Sequence, residues 1–357
     1  MSINLITGKN NTGKSTVLEA IALYASKGEF SQIYQFLLER GEPFKRLEEA
    51  KNPTESNIKT LSSLFTNRKV SFDKIDSIAI GSIENSLFGE VISNESSIII
   101  SFVRYFDDIQ RDENGGLLRR NRIIFDEEDL NINSSSKVGF QVKSNDKSYL
   151  LPLEDEFRPY RLNIKVLGVN ENIQFIRTRN IDRDINSKLW DNITLTENEQ
   201  YVIDALKIIE PLTERIAFIE ESKNERTAVI KLSGINQILP LKSMGDGINR
   251  ILTIILALVN SENGFLLIDE FENGLHYTIQ EKLWTIINHL AEKLNVQVFT
   301  TTHSEDCIKG FENIINTSNR EVSGKLIRLE NKNGMIKQVE FNAKELKIAT
   351  DNDIEIR

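Results

Sequence analysis

Two stretches of this chain combine residue types at spacings suited to phosphate chemistry. Gly8-Lys9-Asn10-Asn11-Thr12-Gly13-Lys14-Ser15 fits the pattern G-x-x-x-x-G-K-[ST]. Between a strand and a helix, such a loop turns backbone N–H groups and a helix N-terminus toward phosphate oxygens. Lys14 would reach the β- and γ-phosphates, and Ser15 would hold Mg²⁺. Far downstream, Phe265-Leu266-Leu267-Ile268-Asp269-Glu270 reads as a buried strand ending in two carboxylates, 255 residues after Lys14. The carboxyl end of such a strand faces a ligand crevice. Asp269 suits the Mg²⁺ shell, and Glu270 could polarise an attacking water.

Two further elements join this set. His303 follows the strand-like run Val298-Phe299-Thr300-Thr301-Thr302, and a polar group that reports on a γ-phosphate is expected at such a strand tip, although a histidine there can also serve as a cap. Ser243-Met244-Gly245-Asp246-Gly247 precedes an apolar run. Glycines and a serine at a helix start can bind phosphate or can simply form a turn and N-cap. Of the other histidines, His289 falls inside an amphipathic stretch and reads as structural, while His276 lies in Glu272-Asn273-Gly274-Leu275-His276 with both readings open. Arg119, Arg120 and Arg122 could touch nucleic-acid phosphates, but Asp126 to Asp129 follow at once and favour a solvated face. Arg177 and Arg179, beside Phe175, offer a contact surface or a fold-supporting ion pair. Asp351-Asn352-Asp353 mimics a metal-binding pair but reads as surface charge.

The elements that must position these residues follow from periodicity. Ile3 to Ile6 reads as a strand, followed by a Gly/Asn turn and a helix carrying Val17, Leu18, Ile21 and Ala22 on one face. From about Val70 to Val169, runs such as Ile98 to Phe102, Ile123 to Phe125, Val138 to Val142 and Leu162 to Val169 predict a mainly antiparallel β segment. Thr196 and Glu199 have capping-box spacing ahead of a helix that Pro211 should end. Ile216 to Ile219 and Ala228 to Leu232 predict a hairpin. Beyond Gly247, helix Ile251 to Val259, strand Phe265 to Ile268, helix Ile279 to Leu294 and strand Val296 to Thr300 alternate as in a parallel sheet. Leu326 to Leu329, the turn 331–334 and Ile336 to Phe341 predict a closing hairpin.

Composition excludes several classes. The 357 residues are 39% hydrophobic, 27% charged and 8% aromatic, an ordinary globular balance rather than a disordered, collagenous or disulfide-stapled one. At roughly 100–200 residues per domain, two domains or one with a large insertion are expected. Ile251 to Val259 is far too short to span a membrane. No secretion signal opens the sequence, and the lone Cys307 can form no internal disulfide, so a cytoplasmic location is expected. A net charge of −9 argues against a chain-wide basic surface for nucleic acid.

The order of the motifs resembles ABC-class ATPase heads of the SMC, RecF and OLD (overcoming lysogenization defect) group. Within it, the double asparagine of the phosphate loop through Thr16, the Ser243 to Gly247 element and Asp269-Glu270-Phe271-Glu272-Asn273-Gly274-Leu275-His276 look most like the OLD-like AAA ATPases of prokaryotic defence systems. The closing Glu355-Ile356-Arg357 is also similar to short members of that group. The resemblance covers both ends of the chain well and residues 26–195 poorly. It implies an α/β P-loop NTPase of ABC-head type, a mixed sheet flanked by helices. Residues 1–25 with 233–357 would form the ATPase core, and 26–232 a β-rich and helical lobe partly completing the head.

By the same resemblance, Gly8, Asn10, Asn11, Thr12, Gly13, Lys14, Ser15 and Thr16 map to the phosphate loop. Asp269 and Glu270 map to the metal and catalytic carboxylates, His303 to the switch histidine, and Ser243, Gly245 and Gly247 to the signature motif. In such heads the signature of one copy covers the ATP of the other, giving a homodimer that sandwiches two nucleotides, with Glu272 to His276 as the interface D-loop. The implied activity is Mg²⁺-dependent ATP hydrolysis that gates a separate effector in anti-phage defence or DNA maintenance. DNA is a further implied partner.

The sequence departs from the group in three ways. Two strands usually precede the phosphate loop, whereas here it begins at residue 8, so a late start or a reduced first sheet is expected. No glutamine is placed as the Q-loop residue; Gln32, Gln35, Gln141 and Gln174 are the candidates. Only 54 residues follow His303, too few for the Toprim nuclease of full-length OLD proteins, so any nuclease should be a separate chain. Two other functions compete: a non-catalytic ATP-dependent switch or scaffold, which retention of Glu270 opposes, and the ATPase subunit of an ABC transporter, which the atypical signature and the spacing oppose.

Overall fold

The computed structural model describes residues 3–45, 52–72, 76–86, 89–92, 97–111, 117–125, 136–145, 147–154, 172–178, 185–222, 225–317, 324–352 and 354–356. In chain order these form β1 (Ile3–Gly8), α1 (Lys14–Ala25), α2 (Phe30–Glu39), α3 (Pro53–Ser62), β2 (Ile78–Ile80), β3 (Ile83–Ser86), β4 (Gly89–Ile92), β5 (Ile98–Arg111), β6 (Leu117–Phe125), β7 (Lys137–Ser144) and β8 (Lys147–Pro152). Then come β9 (Ile173–Ile176), α4 (Ile185–Ile193), α5 (Glu197–Ile209), β10 (Thr213–Ser222), β11 (Glu225–Leu232), β12 (Ile238–Pro240) and α6 (Asp246–Val259). The chain closes with β13 (Phe265–Ile268), α7 (Tyr277–Lys293), β14 (Gln297–Thr301), α8 (Glu305–Thr317), β15 (Gly324–Lys332), β16 (Met335–Phe341) and α9 (Ala343–Asp351).

The chain divides into two compact units, one of residues 1–22 and 170–357, the other of residues 23–169. The first is built on a six-stranded sheet of order β16-β15-β1-β14-β13-β9. Every neighbouring pair is parallel except the hairpin β15–β16. Short apolar strands with no polar alternation, such as β1 and β13, are buried in the way parallel strands covered by helices require. A mixed sheet flanked by helices, with a phosphate-type loop between its first strand and first helix, is the P-loop NTPase fold that the sequence leads one to expect.

The boundary of the core departs from that expectation. Residues 170–232 belong to the same unit as the phosphate loop, because β9 pairs in parallel with β13 and α4 and α5 bury Trp190, Val202 and Leu206 in the same core. The sequence did not mark β9, since Gln174 interrupts its short apolar run, whereas β13, of the same length, is apolar throughout. The helices α1, α5, α6 and α7 and the strands β1, β10, β11, β13, β14, β15 and β16 lie where periodicity placed them, whereas α4, β12, α8 and α9 were not marked in the sequence. Every residue of α6 from Ile251 to Val259 is buried, as a helix apolar all round must be. Pro211 follows the end of α5. The capping box at Thr196 is shifted by one residue: Thr196 accepts from the Asn198 N–H, while Glu199 accepts from the Leu195 N–H at 2.9 Å. Trp284 of α7 is fully buried, stacks on Phe271 at a centroid distance of 4.2 Å and donates to the Cys307 carbonyl at 3.2 Å. Cys307 is a free, buried thiol, pushed above its ordinary pKa by burial.

The second unit has an antiparallel sheet of order β2-β5-β7-β8, with β6 paired to β5, as the antiparallel expectation required. Phe102 and Phe140 meet edge to face at 5.4 Å in its core. The predicted strand Leu162 to Val169 lies outside the described residues. Among the described residues, no helix is long and apolar enough to cross a membrane.

Candidate active site

Three parallel strands deliver the site residues to one edge of the sheet. The phosphate loop leaves the carboxyl end of β1, the Asp269-Glu270 pair follows β13, and Thr301 to His303 follow from β14, which lies between the other two. Aligned strand ends at the carboxyl edge of a parallel sheet are where such folds bind ligands.

Backbone constraints shape the loop itself. Gly8 has φ +144, and a Cβ there would stand 2.5 Å from the Leu329 carbonyl oxygen, so only glycine fits between β1 and β15. Thr12 donates to the Lys9 carbonyl at 2.8 Å. Lys14, at 6% exposure, folds its Nζ back onto the Gly8 and Lys9 carbonyls at 2.8 and 2.9 Å. Burial pulls its ammonium below the ordinary lysine range, while Asp269, Glu270 and Glu272 push it the other way. Asn10, Asn11, Ser15 and Thr16 are exposed around the loop and the start of α1.

Ser15 and Asp269 meet directly. The Ser15 hydroxyl donates to Oδ2 at 2.9 Å and Oδ1 at 3.1 Å of Asp269. A hydroxyl and a carboxylate are the hard oxygen donors Mg²⁺ prefers. Right-angle ligands at about 2.0–2.1 Å stand about 2.9 Å apart, the separation these oxygens already have. The pair therefore fits the ion. Among the described residues there is no group of three or more His, Cys, Asp or Glu side chains placed to hold a metal.

Thr301 ties the acidic pair together, a role that sequence reading did not assign to it. Its buried hydroxyl donates to Asp269 Oδ1 at 2.6 Å and accepts from the Glu270 N–H at 2.8 Å. The Phe271 N–H donates to the Thr301 carbonyl at 2.9 Å. Glu270 is held at φ +51, a left-handed conformation uncommon for a non-glycine residue. Its carboxylate bonds to no described residue.

The tip of β14 is braced by Glu272, just after the acidic pair. Glu272 accepts from the His303 N–H at 2.7 Å and from the Thr302 hydroxyl at 2.8 Å. Its carboxylate thus faces inward to the strand tip. His303 itself is half-buried beside this brace. His276 occupies the N-cap position of α7 without a side-chain bond to the helix backbone, its Nδ1 within 2.9 Å of the Thr278 hydroxyl, and His289 is exposed on α7.

The Ser243 to Gly247 element opens α6, and Gly245 at φ +103 is its N-cap. Ser243 is not used as a cap; its hydroxyl returns to the Pro240 carbonyl at 2.7 Å. Gly247 lies against Gly274, where a Cβ would stand 3.0 Å from the Gly274 carbonyl oxygen. Met244, Gly247, Gly274 and His276 help line a cavity of about 320 Å³. Among the described residues, no hydrogen bond ties this element to the phosphate loop of the same chain.

The weaker candidates resolve blandly where they are described. Arg177 pairs with Glu19 at 3.2 Å and lies over the Phe175 ring at 4.1 Å, and Arg122 approaches Asp107 at 3.7 Å. Arg179, Asp353 and the side chains of Arg119 and Arg120 lie outside the described residues. Of the Q-loop candidates, Gln174 sits within β9 rather than at its tip, while Gln32, Gln35 and Gln141 belong to the other unit. Arg250, missed by sequence reading, donates from Nη2 to the carbonyls of Asp269 and Glu270 at 3.0 and 2.8 Å. Its signal was a charged residue one step before a wholly apolar helical run.

Comparison with known proteins follows the same lines. A protein of Helicobacter pylori (strain ATCC 700392 / 26695), named ATP/GTP phosphatase, is 25% identical over 337 residues, covering 88% of this chain and 82% of its own. Among solved structures, an SMC head bound to the C-winged helix domain of ScpA matches at 13% identity with a TM-score of 0.43, covering 98% of this chain and 92% of that one. The SMC head domain from Thermotoga maritima matches at 11% identity with a TM-score of 0.38, covering 96% and 90%. The family model described as "AAA domain, putative AbiEii toxin, Type IV TA system" matches residues 3–306, and the chain therefore belongs to that AAA family of ATPases.

Proposed function

We propose that this chain hydrolyses ATP with Mg²⁺ at a site completed by a second copy of itself, and that the resulting ATP-gated dimer controls a separate effector, such as a nuclease, in defence or DNA maintenance. The observation that carries the reading is the direct contact of Ser15 with Asp269 beneath a phosphate-type loop. Lys14 exchanges its two loop carbonyls for the β- and γ-phosphate oxygens, which offer full charges where the carbonyls offer dipoles. Ser15 and Asp269 hold Mg²⁺, which when bound neutralises charge on the β- and γ-phosphate oxygens. Glu270 takes the proton of the attacking water and His303 contacts the γ-phosphate. Ser243, Gly245 and Gly247 of one copy cover the nucleotide of the other, consistent with an exposed Ser243 at a helix start. The name of the Helicobacter pylori relative extends the substrate question to GTP.

The test is Mg²⁺-dependent phosphate release per protomer across a protein dilution series, with GTP as competitor, in wild type and Glu270→Gln. Turnover that falls on dilution and is lost in the variant supports a transiently closing dimer. Undiminished turnover in Glu270→Gln contradicts the catalytic assignment.

A further inference from the structure

Arg250 is 6% exposed at the start of a helix whose next nine residues are all buried. One nitrogen, Nη2, serves two carbonyls, those of Asp269 and Glu270, and Nε has no partner among the described residues. Burial pushes the guanidinium below its ordinary range, and Glu270, Glu272 and Asp269 oppose that push. Such an arrangement is a poor stabiliser, since buried charges are often replaced by apolar residues of like volume at no loss of stability. Its geometry is nevertheless specific. Gly247 packs close to Gly274, where a Cβ would stand 3.0 Å from the Gly274 carbonyl oxygen, and a Cβ on Gly274 would come only into ordinary van der Waals contact with Arg250 Cδ, at 4.0 Å.

The carbonyl that Arg250 grips belongs to Glu270, the residue at φ +51. A left-handed non-glycine residue persists where its surroundings over-determine it. Thr301 fixes the N–H of Glu270, and Arg250 fixes its carbonyl, so the two sides of one strained residue are held from β14 and from α6. We propose that Arg250 is a positioning residue for hydrolysis: it ties the signature helix to the backbone of Glu270, so that α6 seated on a partner's nucleotide sets the aim of the catalytic carboxylate. This rests on the role given to Glu270 above.

The experiment compares Arg250→Met, Arg250→Lys, Glu270→Gln and the double variant Arg250→Met/Glu270→Gln. It measures kcat and KM for ATP, binding of a fluorescent ATP analogue, and thermal midpoints. Arg250→Met should lower kcat at least about tenfold while KM and analogue binding stay within about threefold, and Arg250→Lys should recover part of the rate. The double variant should be no slower than Glu270→Gln, because Arg250 acts through Glu270. Should Arg250→Met fail to fold, Arg250→Lys carries the test through the same split between kcat and binding. Full turnover in Arg250→Met, or multiplicative losses in the double variant while Glu270→Gln alone is impaired, would overturn the coupling and leave the catalytic reading intact. Full turnover in Glu270→Gln would remove both.

Discussion

Ser15 and Asp269, 254 residues apart in sequence, share a hydrogen bond of 2.9 Å. The contact places the first turn of α1 against the tip of β13 although β14 lies between the two strands. It defines the point from which both the metal and the nucleotide assignments extend.

Lys14 is buried and held only by carbonyl dipoles of its own loop. Lys14→Ala should abolish tight ATP binding without lowering the thermal midpoint, because the lost bonds are exchanged for water. Equilibrium binding of a fluorescent ATP analogue checks this, and retained affinity would contradict it.

Replacing the proposed general base by an amide of the same shape isolates its chemistry. Glu270→Gln should preserve ATP binding and cut turnover at least about 100-fold. Single-turnover hydrolysis with labelled ATP reads the difference.

Thr301 both donates to Asp269 and accepts from Glu270 within a buried contact. Thr301→Val keeps the volume but strands both partners, so it should destabilise the fold by about 1–3 kcal/mol and reduce turnover. Thr301→Ser, which retains the hydroxyl, should restore most of both in denaturant melts and rate assays.

How much of this was readable beforehand depends on the range of the signal. The phosphate loop, β13 and the apolar α6 are local patterns in which glycine spacing or unbroken hydrophobicity carries the information, and they stand where the sequence placed them. Thr301 and Glu272 gain their roles only when strand ends 30 or so residues apart in sequence are brought together by parallel pairing, and Arg250 only when α6 packs beside the tip of β13, neither of which a local period encodes. Strand β9 escaped for a related reason: with Gln174 interrupting its apolar residues, it becomes a strand through pairing with β13, not through its own pattern. That single pairing moves the edge of the core from residue 233 to about residue 170.

The second unit offers a check on electrostatics away from the site. Burial would raise the Glu154 carboxyl, but hydrogen bonds from Lys137 and Tyr105 win and leave it below the ordinary glutamate value. A depressed folded-state pKa stabilises above the unfolded value of about 4.3, and that contribution is lost as pH falls through the folded value. Melting between pH 6 and pH 3 should therefore decline less steeply in Glu154→Gln than in wild type.

The central claim, a catalytic site shared between two copies, is tested most directly by mixing two inactive variants. Lys14→Ala loses the phosphate loop, and Ser243→Arg blocks the signature while leaving ATP binding by its own protomer. In a mixture, a mixed dimer regains one intact composite site, so turnover should recover to about a quarter of the wild-type rate per protomer. A mixture as inactive as its components, or normal hydrolysis by Ser243→Arg alone, would contradict the shared site.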